Sequence, residues 1–142
     1  LTVKDLKRAL IDAGMEVFRV RDDEVHLAER QNVQLMEAGV RTRLGPSPRV
    51  CVVARAQRND APSLTDQVAF ELVRQRLSAL REAGYVELAA ETRELRSVSD
   101  PNQVIDVWFE VTFERSVGSL EEAVSETLRA LAAERYVVPT FG

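Results

Sequence analysis

The sequence predicts an α+β fold, a mostly antiparallel sheet with helices packed on one face, in the order α-β-β-β-α-β-β-α. Three observations predict it. Between Val104 and Glu114 apolar and polar residues alternate: Ile105, Val107, Phe109, Val111 and Phe113 share one side, and Asp106, Trp108, Glu110, Thr112 and Glu114 the other. A strand split this way has one covered face and one wet face, the habit of antiparallel sheets. Phe70, Val73, Leu77 and Leu80 recur at three- and four-residue spacing, the stripe of a helix lying on such a sheet. Turn signals at Asp22-Asp23 and Asp100-Pro101-Asn102 mark two hairpins. The 142 residues, 45% hydrophobic and 30% charged with a net charge of −4, suit one α+β domain spanning 1–142.

Thr2 caps the first helix, with Asp5 in the capping-box position and Val3, Leu6, Leu10 and Ala13 along one face. Gly14 stands where a left-handed residue closes it. Met15–Arg21 and Glu24–Glu29 form the first hairpin; Phe18 and Val20 alternate with Arg19 and Arg21, and Val25 and Leu27 with His26. Arg30–Ala38 stays open between a turn of helix and an irregular edge strand, because its composition favours helix while Val33 and Leu35 alternate. Val40–Leu44 alternates, and Gly45-Pro46-Ser47-Pro48 turns the chain. Arg49–Gln57 is a strand with Val50, Val52 and Ala54 on one side and Cys51, Val53 and Arg55 on the other.

After a loop at Asn59–Ser63, Ser63 or Thr65 caps the longest helix, which runs to Ala83, roughly 28 Å at helical rise, and stops at Gly84. Tyr85–Val98 and Gln103–Arg115 are the arms of the second hairpin. Ser119-Leu120-Glu121-Glu122 is a capping box opening a helix striped by Leu120, Val124, Leu128 and Leu131, and Tyr136–Val138 adds a short strand before Pro139. Arg8–Met15 resembles Ser78–Tyr85, and Met36–Val40 repeats the acid-Ala-Gly step. Eight residues are too few for a repeat; the shared need is a glycine at φ > 0 where a helix turns into a strand.

No apolar run approaches the ~20 residues of a membrane span, and Lys4, Asp5, Lys7 and Arg8 interrupt any signal-peptide pattern. One cysteine excludes a disulfide framework and any multi-cysteine metal site, so the expectation is a soluble intracellular protein, cytoplasmic, or virion-borne if phage-encoded, without cofactor or metal. His26, the single histidine, lies mid-strand on the polar side of its hairpin and reads as a surface or interface residue rather than a catalytic one. Cys51, within an apolar run, reads as a small buried hydrophobe. Asp106, Glu110 and Glu114 would stand about 13 Å apart in succession, too far for a glycosidase pair. The Asp22-Asp23-Glu24 cluster lacks the rest of an EF-hand loop, and no Walker, GxGxxG or HExxH motif occurs. No catalytic residue is assigned.

Charge is unevenly spread. Gly39–Arg58 holds Arg41, Arg43, Arg49, Arg55 and Arg58 and no acid, whereas Val86–Gly142 holds eleven acids against five arginines. Without aromatics to stack on bases, and in an acidic chain, the arginine stretch does not favour nucleic acid. It serves either as a contact surface for a partner, with Trp108 as an anchor, or as one half of a charge balance with the acidic strand inside a single molecule.

The element order resembles that of type III secretion chaperone-like proteins, which implies a small acidic dimer that wraps extended partners. From Arg49 onward, strand, helix, hairpin, helix and strand are similar to the βαββαβ order of ferredoxin-like domains, which implies a regulatory domain binding a small molecule. Pro48–Val53 followed by a helix and a hairpin ending Val107–Phe113 resembles phage tail-terminator or neck subunits, which form rings. These are likenesses of order and carry no residue roles. The expected function is a non-enzymatic interaction or assembly subunit, homo-oligomeric, with a ligand-binding regulatory domain as the alternative and an enzyme third.

Overall fold

The structure, a computed structural model, describes residues 1–60 and 62–137, with side chains described to residue 133. Its elements are α1 (Val3–Asp12), β1 (Glu16–Arg21), β2 (Glu24–Gln31), β3 (Gln34–Arg43), β4 (Arg49–Gln57), a 3-10 turn (Arg58–Asp60), α2 (Asp66–Arg76), α3 (Ser78–Glu82), β5 (Val86–Arg96), β6 (Val104–Ser116) and α4 (Leu120–Val137). The strands form one antiparallel sheet in the order β1-β2-β3-β4-β6-β5, which is the α+β class with an open sheet. No helix among the described residues is long and apolar enough to cross a membrane. The chain divides into two compact units, Leu1–Val52 with Glu114–Tyr136, and one built on Val53–Phe113; the division falls within β4 and β6.

In the first unit the capping box closes as expected: the Asp5 amide donates to Thr2 Oγ1 (3.3 Å) and the Thr2 amide donates to Asp5 Oδ2 (2.8 Å). Leu6 and Leu10 are wholly buried beneath that cap. Gly14, at φ 93°, lets its own amide reach Ile11 O (2.9 Å) and the Met15 amide reach Leu10 O (3.1 Å). That is a Schellman closure, with Leu10 and Met15 both buried as its apolar pair. Gly84, at φ 92°, repeats it with Arg81 and Leu80 in the second unit, which accounts for the likeness of Arg8–Met15 to Ser78–Tyr85.

Arg30–Ala38 is neither helix nor edge strand. It is a hairpin turned at Asn32-Val33, with Asn32 at φ 61°, and β3 is an interior strand paired to both β2 and β4. Gly39 therefore does not mark a corner: it lies in a β-bulge where Ala38–Val40 oppose Leu27 alone. A second bulge at Phe18 breaks the alternation read for β1, since Val17 pairs with Leu27, Arg19 with His26 and Val20 with Val25. Val17 and Val20 thus share the core side, and Phe18 joins Arg19, whose guanidinium lies 5.5 Å from its ring.

Helix α4 opens with a modified box. The Glu122 amide donates to Ser119 Oγ (3.1 Å), but the Glu122 carboxylate accepts from the Gly118 amide (2.7 Å). Its buried face is Ala123, Glu126, Thr127 and Ala130; the expected stripe is rotated off it, and Leu128 is 43% exposed. Small residues take the rest of that face because the helix lies close to β3, where Thr42 and Thr127 hydroxyls meet at 2.8 Å with both side chains buried, while Glu126 is held by Arg115 at 2.8 Å. Tyr136 and Val137 continue α4 rather than starting a strand, and Val138 and Pro139 lie outside the described residues.

The hydroxyl pair has a direction. Thr127 spends its proton on Ala123 O (2.6 Å), so Thr42 is the donor between the two. Thr127→Val strands that buried donor and is expected to cost about 1–3 kcal/mol, whereas Thr42→Val leaves every donor paired and costs less than about 1 kcal/mol. Urea denaturation of both variants checks the order; a greater cost for Thr42→Val would mean that the proton runs the other way.

In the second unit Thr65 is the N-cap, its Oγ1 accepting from the Val68 amide (3.3 Å). The expected single helix breaks at Leu77, whose amide is shared between Val73 O and Arg74 O, both at 3.1 Å, so α2 and α3 replace one rod. Ala69, Val73, Leu77 and Leu80 are buried, and Phe70 meets Phe109 edge-on with centroids 5.4 Å apart. Phe109, Val111 and Phe113 are buried as the alternation requires, but Ile105 is 50% exposed, so burial of that side stops short of the hairpin tip. With β6 between them, β4 and β5 make a split β-α-β unit; β3 holds the place beside β4 that the fourth strand of a ferredoxin-like domain would take.

Candidate functional site

Strand register stacks the polar residues of the first unit into two rungs. Arg19 pairs with His26, His26 with Arg41, and Arg41 with Cys51. Beside them Arg21 pairs with Glu24, Glu24 with Arg43, and Arg43 with Arg49, and Arg49 binds Glu114 at 2.9 Å. The β3 bulge also brings in Glu37, which takes Arg19 (3.1 Å) on one oxygen and Arg41 (3.3 Å) on the other; Arg43 reaches Glu24 at 3.4 Å.

His26 lies under this lattice and is 2% exposed, which corrects the expectation of a surface histidine. The polar side of β2 is covered by the side chains of its neighbours, Arg19 on β1 and Glu37 and Arg41 on β3. Arg19 Nε–H donates to His26 Nδ1 (3.1 Å), so the ring's own proton is on Nε2, which is buried and makes no hydrogen bond among the described residues. Burial first, and the Arg41 charge second, push the imidazole below its ordinary value, against the opposing pull of Glu37 and Glu24.

Cys51 is buried as expected, and its thiol is pushed up to about 11, by burial first and then by the Glu114 carboxylate. It cannot work with His26, because Arg41 stands between them and two strand spacings separate them by about 10 Å. Among the described residues no cluster of His, Cys, Asp and Glu is arranged to hold a metal ion.

The arginine-rich stretch is balanced within the molecule. Arg41, Arg43 and Arg49 hold Glu37, Glu24 and Glu114 in the first unit. In the second, the Arg55 guanidinium lies over Trp108, 3.9 Å from the ring centroid, and Arg58 bonds Asp66 and covers Phe109 at 5.1 Å. The aromatics missing from the arginine stretch are supplied by β6. Trp108, half-buried, is therefore packed under an arginine on at least one face. The carboxylates of β6 are spread among separate partners: Asp106 accepts from the Asn59 amide (3.1 Å), Glu110 faces Arg93 (3.3 Å), and Glu114 faces Arg49.

The outer side of β5 is one place where, among the described residues, apolar side chains stand in solvent. Glu87 turns toward the helices, where Arg74 (2.8 Å) and Arg81 (3.4 Å) hold it. Val86 and Leu88 therefore take the other side, 67% and 53% exposed, and only Glu87, Ala89 and Leu95 of the strand are even half-buried. The residues mark a hairpin arm here but not its exposure, because nothing in them says which strand ends a sheet. A cavity of about 430 Å³ lies in the first unit against Met15, Ala28, Leu128 and Leu131. The Glu16–Arg30 pair (2.9 Å) matches polar groups there with each other rather than leaving them for a ligand. Comparison with known proteins matches no family model, no curated protein and no solved structure.

Proposed function

We propose that the chain is a non-enzymatic assembly subunit that works by binding protein, a second copy of itself first. The observation that carries this is the edge of the sheet at β5, an eleven-residue strand with one strand neighbour among the described residues and with Val86 and Leu88 in solvent. Exposed apolar side chains beside unpaired strand backbone mark an interaction surface on a folded protein. The two side chains best suited to nucleophilic chemistry point the same way: Cys51 is buried with a raised pKa, and His26 is buried and out of its reach. Sedimentation equilibrium from micromolar to near-millimolar protein tests the reading. Self-association with a mass above one chain supports it, and a monomer throughout, at low and high salt alike, overturns it.

A further inference from the structure

Resting on that reading, the geometry points to the mode of assembly: β5 pairs antiparallel with β5 of a second copy about a two-fold axis centred on Thr92, continuing the sheet across the dimer. The two edges of the sheet are not equally protected. β1 is six residues long, is interrupted by the bulge at Phe18 and carries Arg19 and Arg21. Shortness, bulges and charge are the usual guards of an edge. β5 is eleven residues long and contains neither proline nor glycine. Its charges, Glu87, Glu91, Arg93, Glu94 and Arg96, are of both signs, so a second strand in the right register can pair with them rather than be repelled.

Charge order then selects the occupant. A two-fold normal to the sheet keeps each side chain on its own face, so only registers that set a residue opposite itself are allowed. Centring on Glu91, Arg93 or Glu94 sets like charges against each other across the axis. Centring on Ala90 calls on Glu87, which Arg74 and Arg81 already hold. Centring on Thr92 sets Glu91 opposite Arg93 twice, once on each side of the axis, and Ala89 opposite Leu95. It also lays the Arg96 stem over the exposed Leu88. Glu91 has no ion-pair partner among the described residues; Arg93 meets Glu110 at 3.3 Å through Nε and is 65% exposed, so its terminal N–H groups can take a second carboxylate. An isologous pairing of this kind closes after two copies and covers the vulnerable edge in both.

Sedimentation equilibrium on charge-reversed variants tests the register. Glu91→Arg and Arg93→Glu each turn two attractive cross-strand pairs into two repulsive ones, and each is expected to weaken the homodimer about tenfold or more. Mixed in equal amounts, the two variants place two arginines opposite two glutamates, so the mixture is expected to form a heterodimer near wild-type affinity. Circular dichroism on each variant checks that it is folded, and the mixture reads out even if one is somewhat destabilised. No gain of association on mixing overturns the register. A wild-type dimer indifferent to both substitutions removes the β5 pairing and leaves the assembly reading standing, whereas a monomeric wild type removes both.

Discussion

Phe113→Ala is expected to cost about 3–5 kcal/mol of folding stability, a large part of the ~5–15 kcal/mol that holds a domain of this size together. Phe113 is wholly buried on β6, next in line to Val111 and Phe109, with the Arg81 guanidinium 5.5 Å from its ring. Truncation removes the transfer energy of the ring and leaves a void that the covering helix can only partly fill. The control lies on the same side of the same strand. Ile105, half-exposed near the hairpin tip, is expected to lose less than about 1 kcal/mol on change to alanine, because little of it leaves water on folding. Urea denaturation of the two variants separates burial from mere alternation. Equal losses would mean that the covered side of β6 extends to the tip.

Acidification is expected to destabilise the fold through His26. The unfolded chain takes up a proton with an ordinary histidine pKa near 6.5, and the folded chain resists it, because the imidazole is buried beside Arg19 and Arg41. Between the two pKa values the unfolded state holds the extra proton. This contribution to stability is therefore complete above pH 6.5 and is lost as pH falls below it, with a slope of up to about 1.4 kcal/mol per pH unit. A structural consequence follows from the bond to Nδ1. Once that nitrogen is protonated it can no longer accept from Arg19, and β1 loses one of its cross-strand ties. His26→Gln removes the titrating group, so its stability relative to wild type should improve as pH drops below 6.5. If wild type instead gains on acidification, the imidazolium is being held by Glu37 and Glu24, and the ring is charged in the fold.

The fold was largely legible because its strongest signals are local. The Thr2 and Ser119 caps, the glycines at 14 and 84 and the alternation of β6 each follow from one or two turns of chain. The hairpin at Asn32 was not legible: Asn-Val is a weak turn signal, and Gly39 suggested a corner when the structure uses it for a bulge. The stripe on α4 misled for another reason. Leucines satisfy a helical period on either of two adjacent faces, and only the closeness of Thr42 to Thr127 selects the one with small residues. The candidate site was half visible. The arginines of the 39–58 stretch stood out by charge, but their partners are 4, 19 and 65 residues away, and strand register, which sequence does not state, brings them together. The same ignorance of strand order hid His26 beneath its neighbours and left β5 unrecognised as an edge.

Amide hydrogen exchange followed against protein concentration tests most directly whether β5 is where copies meet. Outward-facing β5 amides around Thr92 should slow as concentration rises, while those of β1 stay fast. Protection of β1 with β5 unchanged would place the contact on the opposite edge and contradict the assembly described here.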